Sequence, residues 1–346
     1  MSNINQTAPR GQNPRKTSIG CISPLLMFVA IMMLIGYFLV VMTVLSFCSG
    51  ASLIQEDIIQ YSGTDGYIAV LHIEGAITSE STAGSLFAEP QEYRHNFLLS
   101  TIQRLASDNE NKGILLYIDS PGGEVYATDE LYLEILRYKD NTGRPVYAYC
   151  GKMAASGGYY IASAADQIFM NRNGLTGSIG VSAGTFIDLS GFLEEQGVRT
   201  TSIYVGDNKA MGTMFEEFTE EQREIYLSIL QERYDQFVDV VVEGRPLTRD
   251  EVIKLSDGRV FSANQAMNLN LIDGVMNYEE ARNRFLDDMG WTDETQFLHF
   301  QPEVSAGLAD IFMMVSRGGK TDLETYISLL DIPFEGFAYY YEGPRF

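Results

Sequence analysis

Two glycine-rich segments follow apolar runs of the chain and carry groups that could take part in acyl transfer. The first, Asp119-Ser-Pro-Gly-Gly123, comes directly after the run Gly113–Ile118. Pro121 fixes one position of a turn, and Gly122 and Gly123 leave the backbone amides free to approach a ligand. Amides in such a turn can stabilise an oxyanion, although the same residues also suit an ordinary tight turn.

The second segment is Ala154-Ala-Ser-Gly-Gly-Tyr-Tyr160. Small residues on both sides of Ser156 permit a sharp turn from a strand into a helix. Such a turn presents the serine hydroxyl and places its oxygen near the N-terminus of the helix. Ser156 is therefore a candidate nucleophile, and the alternative interpretation is that its side chain caps the helix.

A serine nucleophile needs a general base, and histidine is the usual one. The chain has three histidines, His72, His95 and His299. His72 falls inside a predicted strand, His95 falls in a polar predicted helix, and His299 is near the C-terminal end. A Ser/His/Asp triad stays open on this pattern, but nothing else in the sequence supports it.

A lysine can replace histidine when burial lowers its pKa from about 10.4 towards 7 or 8. No lysine stands three residues after Ser156, where Tyr159 is found. Lys152 is four residues upstream and is interpreted as a surface residue. Lys209 lies between Gly206 and Gly212, outside any run of charges, and is the better candidate for the base.

Composition and charge exclude several classes of protein. The 346 residues are 45% hydrophobic and 20% charged, which is typical of a globular chain. Residues 1–50 hold three basic groups and no acidic one, so the remainder has 21 basic against 46 acidic groups, a charge of about −25. We expect no nucleic-acid partner for so acidic a domain. Three cysteines make no disulfide framework, and we expect neither a metal nor a cofactor.

An uncharged segment near the N-terminus is long enough to cross a membrane. Residues 25–47 are almost entirely apolar, and these 23 residues span about 34 Å as a helix, against about 30 Å for a bilayer core. We predict an uncleaved anchor at 21–48. Basic residues precede it, which predicts a single-pass protein of the cell membrane with a cytoplasmic N-terminus and an extracytoplasmic catalytic domain.

The rest of the chain alternates short β-rich runs with helical patterns. Predicted strands lie at 67–73, 113–118, 145–149, 167–170 and 201–205. Predicted helices lie at about 97–105, at about 125–138, after Ser156, and from the capping box Thr219–Gln222 to about Gly244. This alternation predicts an α/β fold with a mostly parallel sheet covered by helices.

Several of these motifs occur together in one order and spacing. They are Ser120-Pro-Gly-Gly123, Ala155-Ser-Gly-Gly-Tyr-Tyr160, Leu175-Thr-Gly-Ser-Ile-Gly180, Lys209, Asp257-Gly-Arg-Val-Phe261 and Leu271-Ile-Asp-Gly274. Over about residues 64–280 the chain resembles the shorter form of the signal peptide peptidase A family. It departs from that family at Leu269-Asn270, where a glycine commonly precedes the Leu-Ile-Asp motif, and in the tail beyond about residue 285.

The resemblance implies a ClpP/crotonase-like fold, a homo-oligomer and a membrane-anchored serine endopeptidase that degrades signal peptides, or other apolar peptides, released after protein export. It implies Ser156 as nucleophile and Lys209 as general base. Ser178 would hydrogen-bond the lysine, and the backbone at Gly123 and Gly157 would form the oxyanion hole.

The predicted organisation is a cytoplasmic tail at 1–20, the anchor at 21–48, a linker at 49–63, the peptidase domain at 64–284 and a C-terminal extension at 285–346. Two other functions stay open. One is a crotonase-like acyl-CoA enzyme, which an assay with a thioester would reveal. The other is a membrane-anchored scaffold without turnover, which would not react with serine-directed probes. The aromatic tail near residues 337–341 has two interpretations: it packs on a neighbour or covers the substrate groove, or it packs in the core or an interface without a function.

Overall fold

The computed structural model describes residues 32–38, 66–79, 93–292, 294–301 and 338–340. The chain divides into two units, residues 1–60 and 61–346. In the first unit, residues 32–38 form a helix, α1, whose side chains are exposed. Within the described ranges, no helix combines the length and apolar character that crossing a bilayer requires. The predicted anchor at 21–48 lies outside these ranges apart from α1 and stays a prediction.

A mostly parallel sheet forms the centre of the second unit, as the alternating pattern predicts. Its described strands are β1 (Tyr67–Ile77), β2 (Asn111–Glu124), β3 (Val146–Ala155), β4 (Gln167–Met170), β5 (Leu175–Gly177), β6 (Val260–Ser262), β7 (Gly274–Val275), β8 (Gln296–Phe300) and β9 (Ala338–Tyr340). The main path runs β6-β5-β3-β2-β1-β8, while β4 pairs with β3 and β7, and β9 pairs with β2. Only the β5–β6 and β2–β9 pairings are antiparallel within the described residues.

Helices lie on both faces of this sheet. Their bounds are α2 (His95–Ser107), α3 (Val125–Thr142), α4 (Gly157–Ala162), α5 (Ser190–Glu195), α6 (Glu220–Gly244), α7 (Arg249–Leu255), α8 (Ala263–Asn268) and α9 (Tyr278–Met289). The predicted capping box opens α6, because the Thr219 hydroxyl accepts the Gln222 N–H and the Gln222 side chain returns to Thr219.

The central strands are buried on both sides, which explains their continuous apolar sequences. Alternate residues of β1 belong to two cores. Leu71 and Ile73 pack in the larger core with α2, α3, α4 and α6. Ile68 and Val70 pack in the smaller core, where Phe285 of α9 also lies. The sheet is thus covered on each face, and its strand ends are left as the places where a site can form.

The structure differs from one expectation, the strand at 201–205, and adds detail to another, the C-terminal extension. The predicted strand at 201–205 is wrong, since the segment is irregular and the side chains of Ile203 and Val205 are 95% and 96% exposed. Its β-branched residues match a strand pattern, but no described strand lies beside it to accept its backbone hydrogen bonds. The C-terminal extension also contributes β8, which pairs with β1, and β9, which pairs with β2. The apolar segment 304–315 is interrupted by Asp310 and too short to span a membrane, which predicts a packed helix; it lies outside the described residues.

The segment Leu271–Gly274 is tied to the end of α6 by a buried ion pair. Arg245 donates to the two carboxylate oxygens of Asp273 at 2.7 and 2.9 Å. The same carboxylate accepts the backbone N–H of Ile168 in β4 at 2.7 Å. A bidentate pair of this kind fixes both distance and direction. It therefore holds α6 and β7 against β4, one strand away from the turn that ends β3.

Candidate active site

Ser156 occupies a strained turn between β3 and α4. Its backbone has φ 52° and ψ −118°, a conformation that residues other than glycine rarely adopt. Its N–H donates to the carbonyl of Gly177 at 2.7 Å, and its carbonyl accepts the N–H of Tyr160 at 2.9 Å. The hydroxyl makes no capping hydrogen bond to the helix. The capping interpretation of Ser156 is therefore wrong, and the turn has the form of a nucleophile elbow.

The short helix α4 is anchored firmly behind this serine. All six of its residues are buried. The Tyr159 hydroxyl donates to the carbonyl of Leu271 at 2.7 Å, and the Tyr160 hydroxyl donates to Asp129 at 2.6 Å. Gly158 lies so close to β2 that a Cβ there would stand 2.9 Å from the Ser120 carbonyl oxygen. A glycine at position 158 is thus required by packing against β2.

Ser178 stands at the end of the neighbouring strand. Ala155 and Gly177 are partners in the parallel β3–β5 pairing, so Ser156 and Ser178 follow paired residues. Ser178 also has a positive φ, 51°, and its N–H donates to the Arg259 carbonyl at 2.8 Å. A Cβ on Gly177 would lie 2.6 Å from the Phe261 ring, which explains the glycine there. The structure therefore brings Ser156, Gly157 and Ser178 to one edge of the sheet.

The glycine turn of β2 lies at the same edge. The carboxyl ends of parallel strands meet at one edge of a sheet, and β2 pairs with β3 up to Ser120 and Ala154. Gly123 packs so tightly on β1 that a Cβ would lie 1.9 Å from the Ile77 carbonyl oxygen. Beyond Ser120, β3 turns away towards Ser156, and the side of β2 that it leaves is free to pair with another segment.

That place is taken by the chain's own C-terminal segment. β9 pairs antiparallel with the end of β2, with Gly122 opposite Tyr340, Gly123 opposite Tyr339 and Glu124 opposite Ala338. β9 thus continues along β2 from the point where β3 leaves it. An extended peptide can bind at this edge through main-chain contacts.

The histidines are engaged elsewhere in the described structure. Nε2 of His72 lies 2.9 Å from Nδ1 of His299, and Nδ1 of His72 faces Glu74 at 3.4 Å. His95 is buried between the Tyr93 hydroxyl and the Glu130 carboxylate, each at 2.7 Å. None of these contacts involves Ser156, and a Ser/His/Asp triad therefore has no support from the geometry.

The two candidate lysines are both on the surface. Lys152 is 88% exposed, and its ammonium lies 3.6 Å from Asp119, whose carboxyl pKa is raised by burial even though Lys152 opposes the shift. Lys152 is thus a surface residue, as predicted. Lys209 is exposed in a turn where its N–H donates to the Gly206 carbonyl at 3.0 Å. In the described residues, no hydrogen bond or ion pair joins its side chain to Ser156 or Ser178.

Within the described residues, neither a cysteine nucleophile nor a metal site has support at this edge of the sheet. Cys150 lies in β3 and is fully buried, and burial raises the pKa of its thiol to about 12, which keeps it protonated and a poor nucleophile at neutral pH. Across the residues that the structure describes, no three His, Cys, Asp or Glu side chains are grouped to hold a metal ion.

Two buried hydroxyls near the site were not identified from the sequence, those of Ser120 and Thr176. Only the position of Ser120 directly before Pro-Gly-Gly could have drawn attention to it.

A strained serine with an uncapped hydroxyl, set beside glycine amides on a mostly parallel sheet, defines an acyl-transfer enzyme that uses a serine nucleophile. Comparison with known proteins narrows this class. The profile of Peptidase family S49 matches residues 139–291, a range that includes Ser156, Ser178 and Lys209, and the Clp protease profile matches residues 85–176.

Three relatives agree with these matches. A protein of Enterococcus faecium, named provisionally as signal peptide peptidase SppA, is 32% identical over 71% of this chain and 70% of its own length. Protease 4 of Haemophilus influenzae is 29% identical over 80% of this chain and 44% of its own length. The chloroplastic serine protease SPPA of Arabidopsis thaliana is 31% identical over 62% of this chain and 31% of its own length. The chain belongs to peptidase family S49 and is a serine peptidase.

Replacing Ser156 with alanine should abolish peptide cleavage, because the alanine methyl cannot form the acyl-enzyme. We expect kcat to fall by about 10³-fold or more, with the thermal midpoint unchanged or slightly raised as the strained turn loses only an unbonded hydroxyl. The matched control is Ser163→Ala, which removes a buried hydroxyl of the same helix that donates to the Tyr159 carbonyl at 2.9 Å. Measurable cleavage by Ser156→Ala at the wild-type rate would refute the assignment.

Proposed function

We propose that this chain is a membrane-anchored serine endopeptidase with a Ser156/Lys209 dyad that degrades signal peptides released after protein export. The observation that carries the proposal is the juxtaposition of Ser156 with an edge of β2 that pairs with an extended segment. A nucleophile beside such an edge is placed to attack the backbone of a bound peptide.

The antiparallel pairing of β9 favours a peptide over an acyl-CoA substrate. Strand addition binds the main chain of a peptide through backbone hydrogen bonds, while pockets for alternate side chains give specificity. A thioester offers no ladder of amides to the Gly122–Glu124 edge. The crotonase-like alternative shares the fold and the glycine amides but does not use this edge, and a scaffold needs no strained serine.

Signal peptides fit the expected position of the enzyme. An anchor at 21–48 would hold residues after about 50 on the outer side of the cell membrane, next to the bilayer in which such apolar peptides are left. The printed name of the Enterococcus faecium relative points to the same substrate class. The acidity of the exported part argues against nucleic acid as a partner.

The proposed reaction needs only groups of this chain. Neutral Lys209 takes the proton of Ser156 as the oxygen attacks the peptide carbonyl, while the amides of Gly123 and Gly157 hold the oxyanion. Ser178 orients the lysine. The lysine then protonates the leaving amine, and a water molecule, activated by the same lysine, hydrolyses the acyl-enzyme and restores the serine.

Within the described residues of one subunit, no hydrogen bond or ion pair joins Lys209 to Ser156. The segment that carries Lys209 exposes many apolar side chains. We call residues 182–218 the arm. Its exposed large apolar residues are Ile187, Phe192, Val198, Ile203, Tyr204, Val205, Met214 and Phe215. The side chains of α5, which belongs to the arm, are all at least partly exposed. Apolar surface on this scale is typical of a protein interface.

A second copy of the chain is the occupant that we propose for the arm. Assembly through the arm would bury its apolar residues and could bring Lys209 of one subunit to the Ser156 of the next. Burial at such an interface would also disfavour the charged ammonium of the lysine. The neutral amine would be favoured, and this is the form that a general base requires. The site would then be completed by a homo-oligomer.

Substrate choice separates the proposed function from its alternatives. We expect the detergent-solubilised full chain to cleave a synthetic signal peptide at least about tenfold more efficiently, as kcat/KM, than a polar peptide of equal length, because apolar surface is buried on binding. We expect no Ser156-dependent hydrolysis of an acyl-CoA thioester. Hydrolysis of the thioester alone would favour the crotonase-like function, and absence of all turnover would favour a scaffold.

Mixed oligomers test the origin of the base. Ser156→Ala and Lys209→Ala should each be inactive, whereas Lys152→Ala should be active. If the lysine comes from a neighbour, oligomers assembled at random from equal amounts of the two inactive variants should recover about one quarter of wild-type activity, since half the serines and half the neighbouring lysines are intact. Two different affinity tags would select the mixed oligomers. Inactivity of verified mixed oligomers would contradict a site that is shared between subunits. Loss of activity in Lys152→Ala alone would indicate that Lys152 is the general base.

Removal of β9 should expose the edge of β2 to substrate. We expect deletion of residues 338–346 to lower KM for an extended peptide several-fold with kcat nearly unchanged, because the competing strand is absent. The comparison is steady-state kinetics of the shortened and full chains with the same peptide. Identical KM values would show that β9 does not compete with substrate.

A further inference from the structure

We propose that Ser120 is a positioning residue that, through its hydrogen bond to Gly122, orients the Gly123 amide for stabilisation of the oxyanion. The inference rests on the proposed function, since it concerns how the same site stabilises its transition state. Ser120 makes no contact with the reacting atoms in this account and acts through the glycine turn that follows it.

The need for such a residue arises from the pairing of β2. The ladder between β1 and β2 shifts register between Glu74 and Ala76, and the ladder between β2 and β3 shifts between Ile118 and Ser120. Pro121, the next residue, has no N–H to donate. Beyond Ser120, β2 therefore has no pairing with β3 in the described structure, and Gly122 and Gly123 pair instead with β1 and β9.

The hydroxyl of Ser120 makes two hydrogen bonds that constrain the glycine turn. The side chain is fully buried, at 0% exposure. Its Oγ donates to the carbonyl of Gly75, at the shift in β1, over 2.6 Å. The same Oγ accepts the N–H of Gly122 over 3.1 Å. One hydroxyl thus links β1 to the glycine turn and uses both its donor and an acceptor position.

Gly122 pairs with Ala76 of β1 and Tyr340 of β9, and Ser120 Oγ holds its N–H. Its φ is 101°, which glycine adopts at low cost but which no side chain at that position helps to maintain. The bond from its N–H to Ser120 Oγ fixes the peptide plane before it and thereby limits where the next amide, that of Gly123, can point. This places the direction of the proposed oxyanion donor under the control of Ser120.

Ser120 also contacts the helix that carries the nucleophile. A Cβ on Gly158 would lie 2.9 Å from the Ser120 carbonyl oxygen and 3.4 Å from its Cβ. Ser120 therefore lies between the two glycine turns and sets their spacing. A shift of the turn relative to α4 would change the distance between the Ser156 oxygen and the Gly123 amide.

Loss of the hydroxyl should weaken binding of the transition state more than binding of the substrate. An oxyanion develops only as the carbonyl is attacked, so misaligned amides reduce kcat and leave KM almost unchanged. We expect Ser120→Ala to lower kcat by about 10- to 100-fold, with KM within about threefold of wild type. Ser120→Cys keeps a weak donor and acceptor, and its kcat should lie between those of wild type and Ser120→Ala.

The experiment compares wild type, Ser120→Ala, Ser120→Cys, Ser156→Ala and Ser256→Ala as full chains in detergent. Ser256→Ala is the matched control, because it removes a buried hydroxyl that donates to the Val252 carbonyl at 2.7 Å, away from the glycine turn. The readouts are kcat and KM for one peptide, the inhibition constant of a peptide boronic acid, which forms a tetrahedral adduct with serine, and the thermal midpoint.

The proposal predicts that the inhibition constant of the boronic acid rises in parallel with the fall in kcat while KM stays constant. A merely structural role would lower the thermal midpoint and change KM and boronate affinity together, which would overturn the proposal. Wild-type kcat in both Ser120 variants would overturn it while leaving the peptidase function intact. Equal activity of wild type and Ser156→Ala would overturn the function and this inference with it. If Ser120→Ala does not fold, Ser120→Cys gives the same comparison.

Discussion

The hydrogen bond from the Ser156 N–H to the Gly177 carbonyl holds together the part of the molecule on which the site depends. It joins the ends of β3 and β5 at the point where Ser156, Gly177 and Ser178 all take positive φ values. A non-glycine residue in such a conformation costs about 1–3 kcal/mol and persists only when its surroundings impose it. Here the surroundings are a fully buried α4 and the glycines that let it approach β2. Strain at Ser156 is thus maintained by packing on either side of it.

The folded subunit presents Ser156 beside glycine amides, and within the described residues no hydrogen bond joins Ser156 to a basic side chain. Under the proposed arrangement, an isolated subunit would hold an incomplete site, and assembly would be needed for activity. The exposed apolar residues of the arm and the exposed position of Lys209 have one common explanation in this account, which is burial against a second copy. The pairing of β9 with β2 adds a further control of the same edge, since substrate would have to replace a strand that belongs to the chain.

Much of the fold could be predicted from sequence because its signals are local. The capping box at Thr219 marked the start of α6, and the alternation of apolar runs and helical patterns gave the mostly parallel sheet. Ser156 stood out because small residues surround it after a strand. The segment 201–205 was misread because its exposed β-branched residues have the same pattern as a strand. The pairing of β9 rests on three residues and leaves no local signal. Ser120 stands before Pro-Gly-Gly, a sequence common in turns, and only the folded structure shows that its hydroxyl bonds Gly75 and Gly122.

We propose that Ser156 is an activated nucleophile and that Lys209 activates it. The most direct measurement is mass spectrometry of the full chain after reaction with a fluorophosphonate, which bonds covalently to activated serine oxygens. The account predicts a single adduct on Ser156 in the wild type and in Lys152→Ala, and almost none in Lys209→Ala. An adduct on another serine, or undiminished labelling of Ser156 when Lys209 is absent, would contradict it.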